Sequence, residues 1–185
     1  MPDPAVSLAL GLTVFPVRGR APAAPDWATT ATDDPRQVRR WPAGCNPGIG
    51  CRANGLVILD IDRRCAVDGA TTLSALCSAA GETLPATLTV GTPSGGTHLY
   101  FRAPAGRWIA SGRLAAGVDV RGPGRRTGGY VLGPGAVVAG RRYTVTTAAP
   151  ITALPEWLAQ ILPGRDMPMT HGRNRANCAQ PKGKQ

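Results

Sequence analysis

The stretch Gly55-Leu-Val-Ile-Leu-Asp60-Ile-Asp62 is an apolar run that ends in two acids spaced by one residue. In an extended strand successive side chains alternate faces, so Asp60 and Asp62 share one face while Val57, Leu59 and Ile61 take the other. Two carboxylates aimed at one point repel unless a cation lies between them. Hard oxygen donors at a strand end suit Mg²⁺ or Mn²⁺, ions that also share their coordination with phosphates. The plainer reading is a strand end with two solvated acids, and the pair alone does not separate the two.

Two further segments have the same construction. In Thr97-His98-Leu99-Tyr100-Phe101-Arg102, the residues His98, Tyr100 and Arg102 fall on one face and the others opposite. In Val118-Asp119-Val120-Arg121 the acid and the arginine oppose the two valines. If the three strands belong to one sheet covered on its apolar side, Asp60, Asp62, Asp119, His98, Arg102 and Arg121 converge as a metal-plus-phosphate inventory. Singly, His98 reads as a structural histidine and Asp119 as a turn residue; together they favour chemistry.

The order of motifs resembles a known family. Gly55–Asp62 is followed by Leu84-Pro-Ala-Thr-Leu-Thr-Val-Gly-Thr-Pro-Ser-Gly-Gly-Thr-His-Leu-Tyr-Phe-Arg102, then Gly117-Val-Asp-Val-Arg-Gly122 and Gly128-Gly-Tyr-Val-Leu-Gly-Pro134. Upstream stand Val14-Phe-Pro-Val17, Ala31-Thr-Asp-Asp34, Trp41 and Asn46-Pro-Gly-Ile-Gly50. Over roughly residues 5–162 the chain looks like the N-terminal domain of bifunctional DNA primase/polymerases, of the archaeo-eukaryotic primase superfamily. The resemblance implies an α+β catalytic domain with an RRM-like antiparallel sheet, flanking helices and an active site in the cleft between two α/β subunits. It implies Asp60, Asp62 and Asp119 as catalytic metal ligands for Mg²⁺ or Mn²⁺, one ion activating a primer 3′-hydroxyl and one neutralising an incoming NTP or dNTP. It further implies His98 at the nucleotide phosphates, with Ser94, Gly95 and Gly96 in the preceding hairpin. Arg121 is then the first candidate for the triphosphate cation and Arg102 the second. Arg125 and Arg126, in a Gly-rich loop, are candidates for contact with a single-stranded DNA template, against plain solvation.

The chain departs from that pattern in three places. Arg20-Ala-Pro22 stands where relatives often carry a lysine, and the two cations are not interchangeable at a phosphate. Ala136 stands where a serine is common. The chain also lacks the helicase domain that many relatives continue into, so the expectation is a helicase acting in trans, or a small replication protein of a plasmid, phage or integrated element.

Composition agrees without requiring this reading. The chain has 185 residues, 43% of them hydrophobic, with 24 Gly and 18 Pro, which implies turns and short strands rather than a helical bundle. No apolar run approaches the length of a membrane span and no signal sequence is recognised, so a cytoplasmic protein without a membrane partner is expected. A net charge of +10 points to a polyanion. Nineteen of the 21 basic residues are Arg, a ratio that a GC-rich genome also produces, whereas genome bias does not account for the charge itself. The five cysteines include no Cys-x-x-Cys, and reduced thiols are favoured over a zinc on Cys45, Cys51 and Cys65.

Local signals place helices at residues 4–10, 35–41, 68–80 and 155–162 and strands at 12–17, 49–51, 56–61, 87–92, 97–102, 118–121, 130–132 and 142–146, with a turn at 53–55. The catalytic domain is expected over 1–163 and a basic, disordered tail over 164–185, which carries five Lys or Arg and one Asp. Two other classes fit part of the pattern. A haloacid-dehalogenase-like phosphatase also uses Asp-x-Asp after a strand, but needs Thr or Ser where Arg64 stands. A non-catalytic nucleic-acid-binding protein on the same fold satisfies the charge alone.

Overall fold

The computed structural model describes residues 1–64 and 67–166. Eleven of its strands form two sheets: Phe15–Arg18 (β1), Ala21–Pro22 (β2), Asn46–Gly50 (β3), Leu56–Ile61 (β4), Thr89–Gly91 (β5), Thr97–Arg102 (β6), Gly112–Ala115 (β7), Val118–Arg121 (β8), Tyr130–Leu132 (β9), Thr144–Thr147 (β10) and Thr152–Ala153 (β11). The large sheet has the order β7-β8-β4-β6-β5-β10, with β11 parallel to the end of β6; the smaller, antiparallel sheet runs β9-β3-β1-β2. Helices are few: Ala5–Ala9 (α1), Pro35–Val38 (α2), Cys51–Asn54 (α3), Gly69–Ala80 (α4) and Glu156–Ile161 (α5). The architecture is a sheet-rich α+β fold. No helix of the described residues is long and apolar enough to cross a membrane.

Strand β4 is central and antiparallel to both neighbours, and both of its faces are buried. Val57, Leu59 and Ile61 join Val118, Val120 and Phe101 in a core covered by Leu73 of α4 and Leu158 of α5. Leu56 and Ile58 point the other way, into a second core with Phe15, Val17 and Ile49 of the small sheet. The simple division into an apolar face and a reactive face is thereby corrected. An uninterrupted run such as Leu56-Val-Ile-Leu59 is what a doubly covered strand requires, and each fully buried aliphatic side chain contributes about 1.5–3 kcal/mol. Reactivity is confined to one end of the inter-sheet face, where Ile58 gives way to Asp60.

Local rules account for the elements around that end. Asp68 accepts from the Ala70 amide at the start of α4, and the helix stops at Gly81 in the left-handed region (φ 67). Asp34 likewise caps α2, with Pro35 in its first turn. Residues 51–54 form a helical turn, and β3 and β4 on either side of it belong to different sheets instead of pairing. Past Pro163, Gly164–Asp166 pairs with Arg107–Ile109, so described structure continues past the expected boundary. Most of the expected tail, 167–185, lies outside the described residues.

Candidate active site

Register builds the site. Asp60 on β4 lies opposite His98 on β6 and opposite Asp119 on β8, and Asp119 lies opposite Arg113 on β7. Directly opposed carboxylates on neighbouring strands repel. Arg121, two residues along β8 from Asp119 and on the same face, resolves this by reaching both. Its Nη2 lies 3.2 Å from Asp119 Oδ2 and 3.5 Å from Asp60 Oδ2. The other Asp60 oxygen, Oδ1, lies 3.3 Å from His98 Nε2. Arg113 approaches Asp119 at 3.8 Å but is 78% exposed, a distance and exposure at which an ion pair contributes little.

These contacts make the acids unequal. The Asp60 side chain is only 21% exposed. Burial pushes its carboxyl up, but the hydrogen bond and charge of His98, followed by Arg121, outweigh this and hold the pKa below its ordinary value. Asp62 is fixed through its backbone: its N–H donates to the Gly117 carbonyl, and its own carbonyl accepts from the Gly69 amide at the start of α4. Asp119, 31% exposed, is held by Arg121.

A pocket of about 410 Å³ opens between the two sheets above this row. Asp60, His98 and Arg121 reach it from the large sheet, and Arg20, Trp27 and Tyr130 from the side of the small one. Phe15, Trp27 and Tyr130 form an aromatic cluster with ring centroids 4.4–5.5 Å apart. A smaller adjoining depression of about 170 Å³ brings Asp62, Thr92 and Ser94 together with Asp60, His98 and Arg121.

The hairpin between β5 and β6 closes with a Thr92 amide to Gly96 carbonyl bond, and Ser94 Oγ lies 3.0 Å from Thr92 Oγ1. Gly96 has a packing reason to be glycine, because a Cβ there would lie 2.5 Å from the Ile61 carbonyl oxygen. The turn also sets Gly95 at φ 84.

Of the residues expected from sequence, Asp60, Asp62, Asp119, His98, Arg121, Ser94, Gly95 and Gly96 are gathered at one end of the sheet. Arg102 is not. It has the right face but lies opposite Leu56 at the far end of β6, beside a separate depression with Leu10 and Ile151. Four residues of strand put it about 13 Å from His98. His98 itself is largely buried at the pocket's edge, with Nε2 directed at Asp60 and Nδ1 without a hydrogen-bond partner, so in this structure it orients a carboxylate. Arg125 and Arg126 are exposed in the loop 122–129, which Gly129 closes by donating its N–H to the Gly122 carbonyl.

Sequence reasoning missed Trp27, Tyr130, Tyr143 and Arg113. Tyr130 lies within a quoted motif and Arg20 at a noted departure, but Trp27 comes from an irregular segment with no local signal. Ala136 is fully buried in the inter-sheet core, away from the pocket. Cys51 donates its thiol to the Arg121 carbonyl, and burial, partly offset by the charge of Arg121, pushes its pKa up to about 12. Cys65 and Cys178 lie outside the described residues.

The donor set fits a hard divalent ion in part. Oxygens of Asp60 and Asp119 converge on one guanidinium nitrogen, a point a cation could also occupy. Among the described residues no three His, Cys, Asp or Glu side chains gather as a closed cage. Mg²⁺ does not need one, since it is commonly held by one or two carboxylates with substrate phosphates and water completing its shell.

A charged pocket with an aromatic wall, between the sheets of an α+β fold, is of the class that binds small polar ligands. The family profile of bifunctional DNA primase/polymerase N-terminal domains matches residues 5–157, and the chain belongs to that family. At family level this indicates a primase/polymerase-type nucleotidyltransferase, generally metal-dependent, whose substrates are DNA and nucleotides. No curated protein sequence matches the chain.

Proposed function

We propose that the domain is a template-dependent primase/DNA polymerase that transfers nucleotides from NTP or dNTP to a primer 3′-hydroxyl or an initiating nucleotide on single-stranded DNA. The observation that carries this reading is the row His98–Asp60–Asp119, tied by Arg121, with His98, Asp60 and Arg121 lining the aromatic-walled pocket.

Asp60 and Asp119 would hold Mg²⁺ or Mn²⁺, with Asp62 beside Asp60 in the adjoining depression. Bound there, two such ions supply positive charge to the attacking hydroxyl and the departing pyrophosphate. The protein's own part is placement. His98 fixes one oxygen of Asp60, and the bonds from Gly117 and Gly69 fix the backbone of Asp62. Arg121 and Arg20 are the cations that face a triphosphate, with Ser94 as a hydroxyl donor beside them. Trp27 and Tyr130 offer ring faces to the base.

The test is incubation of the full chain with single-stranded DNA, labelled nucleotides and Mg²⁺ or Mn²⁺, with and without a primer. Metal-dependent product that disappears in Asp60→Asn supports the reading. Binding of DNA without incorporation under any of these conditions would replace it with a non-catalytic module on the same fold.

A further inference from the structure

Outside the acidic pocket, the loop 122–129 borders a second depression. Gly128 and Gly129 line the pocket above Asp60, whereas Gly124 and Arg125, from the same loop, line a depression of about 240 Å³ floored by Trp108 and closed by Pro163 and Gly164. Arg52 joins them: its guanidinium lies 5.4 Å from the centre of the Trp108 ring and donates to the carbonyls of Gly124 (3.2 Å) and Arg125 (3.1 Å). The loop is thus pinned with Arg125 and Arg126 exposed beside a partly exposed indole.

We infer that Trp108, Arg52 and the Arg125–Arg126 loop form a track for unpaired DNA that leads the template strand to the Asp60 pocket. The inference rests on the primase/polymerase reading, and it assigns the strand a path and a base-stacking residue. Three observations carry it. An aromatic face flanked by arginines is the chemistry that binds single strands without sequence preference, bases stacking on the ring and phosphates pairing with the cations. One pinned loop borders both depressions, so a strand lying along it passes from one to the other. The cations there match the sign of the net charge of +10. A duplex would not use the indole, because its bases are already stacked.

The experiment measures binding of fluorescently labelled oligothymidylate and of a duplex of the same length by anisotropy, across a salt series, for the full chain and three variants. Trp108→Leu is expected to weaken single-strand binding roughly five- to a hundred-fold, as removal of a stacking platform does, with duplex binding unchanged. Trp108→Phe is expected to retain most of the affinity. Arg125→Gln/Arg126→Gln is expected to lower the slope of log affinity against log salt by roughly 0.7 for each phosphate that is no longer neutralised. Unchanged single-strand affinity in Trp108→Leu overturns the track. So does an equal loss for single strand and duplex, or failure of the unaltered protein to bind single strands. Nucleotide incorporation at saturating template, followed in parallel, separates the two claims. A protein that binds through Trp108 yet incorporates nothing refutes the polymerase reading and leaves the track standing.

Discussion

Arg121 does two jobs that a substitution can separate. In this structure its guanidinium is the cation that lets Asp60 and Asp119 stand opposite one another, at 3.5 and 3.2 Å. The three side chains are 21–33% exposed, so solvent screens them only in part. A hydrogen bond to a charged group is worth about 1.5–3 kcal/mol. With one contact near the distance limit, the pair counts as a single good bond, and uncompensated cross-strand repulsion adds up to about 1 kcal/mol. Arg121→Gln should therefore cost about 2–3 kcal/mol. At roughly 2–4 °C per kcal/mol for a chain of this length, thermal unfolding without divalent ions should fall by about 4–12 °C.

The same variant should bind Mg²⁺ or Mn²⁺ more tightly than the unaltered protein, because the ion no longer displaces a guanidinium. At ten times its dissociation constant an ion restores about 1.4 kcal/mol, roughly half of the loss. Calorimetric melting with and without Mg²⁺ reads both effects. An unchanged melting temperature would show that Arg121 does not hold the acids. A lowered one that Mg²⁺ raises no more than in the parent would show that Asp60 and Asp119 share no cation site.

The depressed carboxyl of Asp60 makes a pH-dependent contribution. A group whose pKa is lowered by folding stabilises above its unfolded value, near 3.9, and loses that contribution as pH falls through the folded value. The gap in melting temperature between the parent and Asp60→Asn should hence close in acid and be widest above about pH 5, and a gap that grows in acid would contradict the assignment. Gly96→Ala should cost about 1–3 kcal/mol through its clash with the Ile61 carbonyl and should depress incorporation by shifting the hairpin that carries Ser94; wild-type melting would show the turn to be loose. Residues 167–185 carry Arg173, Arg175, Lys182 and Lys184 and no acid. Truncation after Asp166 should flatten the salt dependence of single-strand binding while sparing incorporation on saturating template, and an unchanged slope would remove this segment from the interface.

What was legible in the sequence is what neighbouring residues decide. The run into Asp60, the alternation in 97–102 and 118–121, the Asp68 cap and the Gly81 stop are local, and the structure follows them. Their joining into one sheet was legible too, since three strands with matching faces have few ways to bury them. Three strands of the second sheet were legible, at 12–17, 49–51 and 130–132, but their pairing was not. The sheet pairs Asn46–Gly50 with Phe15–Arg18 and with Tyr130–Leu132, some 30 and 80 residues away along the chain, and its Gly and Pro residues carry no alternation. Without that sheet there was no pocket roof, so Trp27 and Tyr130 went unassigned. Arg102 was placed by parity alone, and parity says which face a residue takes but not which end of the strand.

The position of the site along β4 explains why its acids differ. One face of the strand carries Leu56 and Ile58 into the dry core between the sheets, then Asp60 at the margin, and Asp62 just beyond the last strand residue. A carboxylate at that margin bears part of the cost of burial, which is why Asp60 has two charged or polar partners, His98 and Arg121, on its two oxygens. His98 is set one strand over, deeper still, and Tyr100 behind it is wholly buried, with its hydroxyl pushed well above the usual range by desolvation. The polarity of the face thus rises in steps from Tyr100 and Ile58 to the open acids. Of the two opposed carboxylates, Asp60, the less exposed at 21% against 31%, is the one held by both His98 and Arg121, and deeper burial strengthens those electrostatic interactions.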